Sequence, residues 1–411
     1  MGMLEKNILV RCATIFLVLT IFQTSQTNSF AQEPSNEEAN RAELERAERL
    51  LGKTADRGAV LYFMAVLHAQ LNEIREATEN LKECLALKEG FDPSGERTFA
   101  VLREAKDYQQ LVEQVHKDFP LVTNAQLAFT TVEKDLVPEG LAYDSSRDVF
   151  YLSSLHRKKI VQIPMQGKIT DFVPGDRYNL LPVLGIHTGA SDGSIWANSW
   201  LDNGKTELLH FDTTGTLLER FAPPDDGKHG LNDLVVLRDG SVLTTDTAAH
   251  KLYRFDPKSN SFSEVKLSRD LLEPNGIALA ADGHTVYVAD QLGVIRFDAN
   301  SGKSVEMDPG PKSTLAGADG LYWYKDRLIA VQNGIGTPRI AVFQLSADGA
   351  HVTKTTILEY RSRFIPLPTT GALKGEDFYF IENSQLDNLN GDRVLDVTRL
   401  EPVRIAKLRI P

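Results

Sequence analysis

The sequence predicts a mainly β protein, a six-bladed β-propeller preceded by a small α-helical segment, and three observations lead there. The first is a strand-turn-strand pattern, LVPEGLAYDSSRDVFYLSS at 136–154, that returns about every 45 residues to the C-terminus. Its later versions are GIHTGASDGSIWANS at 185–199, LNDLVVLRDGSVLTTD at 231–246, PNGIALAADGHTVYVAD at 274–290, ADGLYWYKDRLIAVQ at 318–332 and, more faintly, TTGALKGEDFYFIE at 369–382. A fixed period of this size that carries strands belongs to a propeller with one blade per repeat. The second observation is another hairpin in the units, at 159–173, 208–221, 251–265 and 293–307, where alternating residues flank a Gly, Asn or Ser turn. Two hairpins make a four-stranded blade. The third is a spare strand, QLAFTTVE at 126–133, ahead of the first repeat, with RIAKLRI at 404–410 behind the last. These two ends are expected to pair within one blade and close the ring, which removes the open sheet edge.

Before the propeller the chain changes character twice. Residues 1–31 carry basic Lys6 and Arg11, an apolar run from Ala13 to Phe22, and a small-x-small finish at Ser29-Phe30-Ala31. This is the pattern of a secretory signal, and the run of about ten residues is too short for the roughly 20 that span a bilayer. The mature protein is therefore expected to be exported, periplasmic or secreted, with no membrane span after signal removal. It would keep one cysteine, Cys84, so no internal disulfide forms.

Residues 32–119 read as helices. Glu37 to Gly52 is rich in Glu, Ala, Arg and Leu. Between Arg57 and Leu87, residues such as Leu61, Met64, Ala65, His68, Leu71, Ile74, Ala77, Leu81 and Cys84 recur at helical spacing. A further helix is expected over Arg97 to Val115, with Phe99, Leu102, Tyr108 and Leu111 inward. His68, on the apolar face, reads as a buried histidine and not as a ligand. The segment Leu61 to Pro93 resembles one degenerate tetratricopeptide repeat, with Ala65 and Ala77 at its small positions and without its Trp and Gly. A single such repeat rarely stands alone, so these helices should pack on the propeller or on each other. A docking surface for a protein partner is the alternative.

The net charge of −11 argues against a nucleic-acid partner, which favours a basic face. No Ser sits in a G-x-S-x-G elbow, and no phosphate-binding loop is present. Asp387 to Asp392 is acidic, but its Asn-Gly pair reads as a hairpin turn. Trp196, Trp200 and Trp323 fall in blade strands and read as core or channel wall.

The chemistry is expected where each repeat begins. The opening positions are Glu139, His187, Asn232, Asn275, Asp319 and Thr370, at steps of 48, 45, 43, 44 and 51 residues. In a propeller such positions converge on the central channel. Glu139, Asn232, Asn275 and Asp319 offer two carboxylates and two carboxamides, the oxygen donors that a hard cation such as Ca²⁺ requires. The plainer reading of each is a turn, since Glu-Gly, Asn-Gly and Asp-Gly favour turns by themselves.

The motifs PEGLAYD, LNDLVV, PNGIALAADGHTVYVAD and ADGLYW resemble those of the regucalcin/gluconolactonase-like six-bladed propellers, relatives of diisopropyl fluorophosphatase and the paraoxonases, over roughly 136–411. The resemblance implies a catalytic Ca²⁺, or another divalent cation such as Zn²⁺ or Mg²⁺, on Glu139, Asn232, Asn275 and Asp319. It also implies hydrolysis of a small lactone or ester. Such a cation polarises a carbonyl or phosphoryl oxygen, with Asp319 as general base or nucleophile and the two Asn, Asn232 among them, orienting substrate. His187 would line the channel as proton shuttle or substrate contact, and Thr370 would face substrate. His156 and His229 could reach the same mouth. The chain departs from the sugar lactonases at Gly230, where they carry an Arg that holds a sugar acid. The rival expectation is a non-catalytic propeller that binds a protein, peptide or glycan, with any metal structural.

Overall fold

The computed structural model describes residues 36–166, 168–189, 192–201 and 204–411. The expected export signal at 1–31 lies outside them. Six four-stranded antiparallel sheets form the blades. Their inner strands are Leu141–Asp144, Val183–Thr188, Leu231–Val236, Ile277–Leu279, Ala318–Tyr324 and Gly371–Lys374. Each inner strand touches that of the next blade, and the sixth touches the first, so the ring is closed. In blade 6 the order from inside outward is Gly371–Lys374, Asp377–Ile381, Arg404–Arg409 and then Gln126–Thr130. The two ends of the propeller thus pair as expected, from Gln126 opposite Lys407 to Thr130 opposite Arg404.

Alternation along the strands sends one face of each blade onto the next. Phe150 of blade 1, for example, lies 4.7 Å from Tyr379 of blade 6. The glycines that recur where the inner strands begin are not turn glycines. Gly140, Gly185, Gly276, Gly320 and Gly371 all lie outside the left-handed region. They are small because inner strands crowd the axis: a Cβ on Gly140 would sit 2.3 Å from the Leu184 carbonyl oxygen, and one on Gly276 2.7 Å from that of Asp319. This corrects the turn reading of the Glu-Gly, Asn-Gly and Asp-Gly pairs.

Among the described residues four α-helices precede the propeller: α1 (Asn36–Leu50), α2 (Arg57–Gln70), α3 (Ile74–Ala86) and α4 (Lys106–Asp118). The single helix expected over Arg97 to Val115 is instead a 3₁₀ turn, Thr98–Leu102, then a break and α4. The break brings the Phe99 and Tyr108 rings to 6.3 Å. Nine residues of continuous helix would separate those positions by about 13.5 Å along the axis. His68 is buried, its Nδ1 2.7 Å from Glu73 Oε2.

The apolar faces of α2 and α3 form one core with Leu272, Leu292, Ala316 and Ile335 of blades 4 and 5. Those four residues lie on loops that lead into inner strands or join second to third strands, so the helices cover one particular face of the ring. Polar contacts fix the joint. Asp56 caps α2 through the Ala59 N–H, at 2.9 Å, and accepts the Thr314 hydroxyl at 2.5 Å. Arg269 is held by Asp290 at 2.5 Å and Glu306 at 2.9 Å, and Glu306 accepts the Thr54 hydroxyl at 2.5 Å. Asp290 in turn accepts the Leu272 and Leu292 N–H groups, both at 2.9 Å.

Candidate metal centre

Glu139, Asn232, Asn275 and Asp319 each stand just before or at the start of an inner strand, on the face that carries the helices. The backbone that presents them is kinked in a recurring way. Val137, Glu273 and Gly317 lie two residues ahead of Glu139, Asn275 and Asp319, and all three have positive φ, at 44°, 47° and 62°. A β-branched residue with φ > 0 is a true outlier, and such strain persists only where surrounding structure imposes it. Neighbouring strands hold the residues that follow these kinks. The Glu139 carbonyl is gripped by the hydroxyls of Thr369, at 3.1 Å, and Thr370, at 2.5 Å. The Asn275 carbonyl accepts the Thr245 hydroxyl at 2.8 Å.

Two features recur: the amide N–H groups of Asn232 and Asn275 are engaged, and Glu139, Asn232 and Asn275 each keep an unpartnered oxygen. Asn232 Nδ2 donates to Thr247 Oγ1 at 3.0 Å. The Asn275 amide donates to the Asp319 carboxylate. Asn333 Nδ2 donates to Asp319 Oδ2 at 2.5 Å. Left buried and without partner are Glu139 Oε2, Asn232 Oδ1, Asn275 Oδ1 and Asn333 Oδ1. Buried acceptors are ordinarily satisfied, and each orphan costs about 1–3 kcal/mol. A set of acceptors without a donor among them suits a cation.

Electrostatics agree. Burial, then the charges of Asp319 and Asp233, push the Glu139 carboxyl well above its ordinary range. Burial raises Asp319 to about 6, against hydrogen bonds from Asn333 and Asn275 that favour its charge. Asp233, next in sequence to Asn232, is raised to about 7 by burial despite backbone N–H bonds from Leu234 and Ile277. The residues fit a hard divalent ion. Among the described residues no group of three His, Cys, Asp or Glu side chains gathers for a metal, so the fit rests on amide oxygens beside carboxylates.

In the second blade the register moves the position equivalent to Asn232 away from His187. Val183 pairs with Ser199 and Ile186 with Ala197, leaving one extra residue between them; Leu231 and Leu234 of blade 3 repeat this bulge opposite Asp246 and Thr244. Phase therefore aligns Leu184, not His187, with Asn232. His187 lies three residues further along its strand, where it lines a cavity of about 230 Å³ with Tyr143, Asp233, Tyr322 and Trp323. Thr370 lines it too, whereas Glu139, Asn232, Asn275 and Asp319 do not. His187 Nδ1–H donates to the Thr188 carbonyl at 2.9 Å, and burial lowers its pKa, so the ring is neutral with Nε2 as acceptor. Thr370 keeps its phase, and its hydroxyl joins blades 6 and 1: it donates to the Glu139 carbonyl and accepts the Leu141 N–H at 3.1 Å.

The other histidines are tied down elsewhere. His156 Nδ1 bonds the Asp392 carbonyl at 2.8 Å, and His229 lies between Asp246, at 2.6 Å, and Asp225, at 3.0 Å. Leu389–Asn390 and Arg393–Val394 pair around the Asn-Gly turn, while Asp387 accepts from Arg97 and Arg399, so this acidic stretch is a hairpin. A Cβ on Gly230 would meet the Trp200 ring at 2.7 Å, so no longer side chain fits there without movement of that ring. Trp200 belongs with Leu155 and Leu184 to an apolar cluster on the blade 1–2 side.

Sequence reading missed Asp233 and Asn333. Asp233 was masked by its neighbour Asn232. Asn333 belongs to a second, fainter phased series, Thr247, Gln291, Asn333 and Asn383, each just past the second strand of its blade.

Residues 137–308, which span blades 1 to 4, match the family described as SMP-30/Gluconolactonase/LRE-like region, the family the motifs resemble. No curated protein sequence matches the chain. Among solved structures it is similar to virginiamycin B lyase from Staphylococcus aureus, with 16% identity over 70% of this chain and 100% of that one, at a TM-score of 0.50. It is also similar to a gluconolactonase from Xanthomonas campestris, with 16% identity over 71% and 94%, at 0.48. A PQQ-bound aldose sugar dehydrogenase from Streptomyces coelicolor gives 13% over 69% and 97%, at 0.48. At these identities the likeness is one of fold.

Proposed function

We propose that this chain is an exported, divalent-cation-dependent hydrolase of lactones or related esters, with Glu139, Asn232, Asn275 and Asp319 holding the cation. The observation that carries this reading is the set of buried, unpartnered oxygens on Glu139, Asn232 and Asn275 beside the raised carboxyl of Asp319. The SMP-30/gluconolactonase match over three of those four residues supports it. The donor set has no imidazole or thiolate, which favours Ca²⁺ or Mg²⁺ over Zn²⁺. When bound, the ion would polarise the substrate's carbonyl oxygen and stabilise the charge that develops on it.

The residues divide the remaining work. Asp319, with Oδ2 fixed by Asn333, accepts the proton of the attacking water, or attacks the carbonyl itself. Glu139 supplies the balancing negative charge. The amides of Asn232 and Asn275 are held by Thr247 and Asp319, which leaves their oxygens for cation and substrate. His187, neutral and on the cavity wall, is assigned to proton movement along the channel. Leu155, Leu184 and Trp200 make the blade 1–2 side apolar, which favours an aliphatic or aryl substituent over a polyhydroxylated one. Export rests on the signal pattern of residues 1–31. The helices bury their apolar faces on the propeller, which favours a packing role over a partner's docking surface.

The test is hydrolysis of aliphatic lactones, a sugar lactone, an aryl ester and a phosphotriester by the mature protein, each with Ca²⁺ and with chelator. Products are identified, since a lyase shares the fold. Chelator-sensitive release of the hydroxy acid is expected, best with the aliphatic lactones. Binding of Ca²⁺ with no turnover of any substrate would move the protein to the non-catalytic reading, with a purely structural ion.

A further inference from the structure

Asn333 stands outside the series of opening residues, yet it is the residue most firmly tied to Asp319. Its Nδ2 donates to Asp319 Oδ2 at 2.5 Å and to the Pro368 carbonyl at 3.0 Å. Both partners are acceptors, so chemistry alone fixes which end of the amide faces them. Oδ1 is then left buried and without a partner, as are the oxygens of Glu139, Asn232 and Asn275.

The turn that carries Asn333 is itself immobilised. Gln332 Nε2 donates to the Thr314 and Ala316 carbonyls at 3.1 and 2.7 Å, and its Oε1 accepts Arg339 Nε at 2.8 Å. The Gly334 N–H reaches the Gly317 carbonyl at 3.1 Å. On the far side, Pro368 leads into Thr369 and Thr370, the two residues that grip the Glu139 carbonyl. Asn333 thus links the segment bearing one carboxylate of the centre to the segment holding the other.

Blade 3 repeats the device with different chemistry. Thr247, at the same place past its second strand, accepts from Asn232 Nδ2 at 3.0 Å and donates to the Pro274 carbonyl at 2.7 Å, next to Asn275. In both blades a polar side chain at this position orients the opening residue of its own blade and holds the approach to the next one.

We infer that Asn333 is a positioning residue of the cation centre: by holding Asp319 Oδ2 it fixes the orientation of that carboxylate toward the ion, and it fixes the Asp319 and Glu139 segments relative to each other. This rests on the cation reading above. Residues that orient metal ligands in this way typically change metal affinity by about 10- to 100-fold when removed.

The experiment is calorimetric titration of Ca²⁺ into the substrate-free mature protein and into its Asn333→Ala, Asn333→Thr and Thr337→Ala variants, with melting temperatures with and without Ca²⁺. Asn333→Ala is expected to weaken binding by about 10- to 100-fold and to shrink the Ca²⁺-induced rise in Tm. Asn333→Thr, which keeps one hydroxyl as Thr247 does, is expected to recover part of the affinity. Thr337→Ala removes a hydroxyl that bonds Ser94 in the same loop, and should lower Tm while leaving affinity intact. Should Asn333→Ala fail to fold, at least about threefold weaker binding by Asn333→Thr supports the inference and unaltered binding overturns it. Full affinity in folded Asn333→Ala, with only a lower Tm, means a merely structural side chain and overturns the inference alone. If the unaltered protein binds no divalent cation, the parent reading falls and this one with it.

Discussion

Replacing Asp56 by Asn should stabilise the protein at pH 8 and change little at pH 4. Asp56 is buried where the helices meet blade 5, with Oδ1 capping α2 and Oδ2 accepting the Thr314 hydroxyl. Burial, opposed by those hydrogen bonds, raises its pKa from 3.8 to about 6. Below about pH 4 the carboxyl is protonated whether the chain is folded or unfolded, and nothing is lost. Between pH 4 and 6 the unfolded chain ionises while the folded one keeps its proton, so stability falls as pH rises. Above about pH 6 the loss is complete. Two units correspond to about 3 kcal/mol, an upper bound that relaxation of the site reduces. With unfolding entropy of about 2.1 cal/mol/K per residue, that is roughly 4 °C in Tm. Asn keeps the size and the capping oxygen, and the Thr314 hydroxyl can rotate to accept from its amide. Thermal melts of both proteins from pH 4 to 8, at fixed ionic strength and fixed Ca²⁺, isolate Asp56, because every other titrating group is common to the two. A variant less stable at pH 8 would show that Asp56 is ionised and stabilising in the folded protein, and a difference that does not vary with pH would show that burial leaves its pKa at the unfolded value; either result refutes the reasoning.

Three further outcomes test other parts of the molecule. Glu139→Gln should weaken Ca²⁺ binding by at least about 100-fold, roughly 2.7 kcal/mol, while raising Tm in chelator because one of three neighbouring buried carboxyls, with Asp319 and Asp233, is gone; titration and melting curves check both signs. Gly336→Ala should lower Tm by several degrees, since a Cβ there would lie 1.9 Å from the Asp92 carbonyl oxygen at a φ of +91°. Limited proteolysis should then cut the helical segment first. Residues 120–411 produced alone should aggregate, because Leu272, Leu292, Ala316 and Ile335 lose the helices that cover them; a soluble, monomeric propeller with an unaltered melting curve would contradict that.

Much of the architecture is legible in local pattern. The period near 45 residues, the two hairpins per unit and the spare strand at 126 foretell six blades and their closure, because strand alternation and turn chemistry act over a few residues. The same phase singles out Glu139, Asn232, Asn275 and Asp319. It slips by three residues in blade 2, where the motif GIHTG looks like a beginning although the register makes Leu184 the equivalent position. A one-residue bulge leaves no mark in composition, so counting alone cannot find it. The recurring glycine was visible but not its cause: a turn would show in local dihedrals, whereas crowding of inner strands at an axis exists only once six blades meet.

Element types, the blade count, the closing strand and the ring of oxygen-bearing residues all follow from periodicity along the chain and are local enough to be read from it. Which face the helices cover, the contacts of Asn333 and Thr247 with the ring, and the bare oxygens of Glu139, Asn232 and Asn275 emerge only from packing. Those features depend on partners tens to hundreds of residues apart, from the 14 positions between Asp319 and Asn333 to the 258 between Asp56 and Thr314. Contacts across such separations are set by how the blades and helices pack, and packing has no period to read.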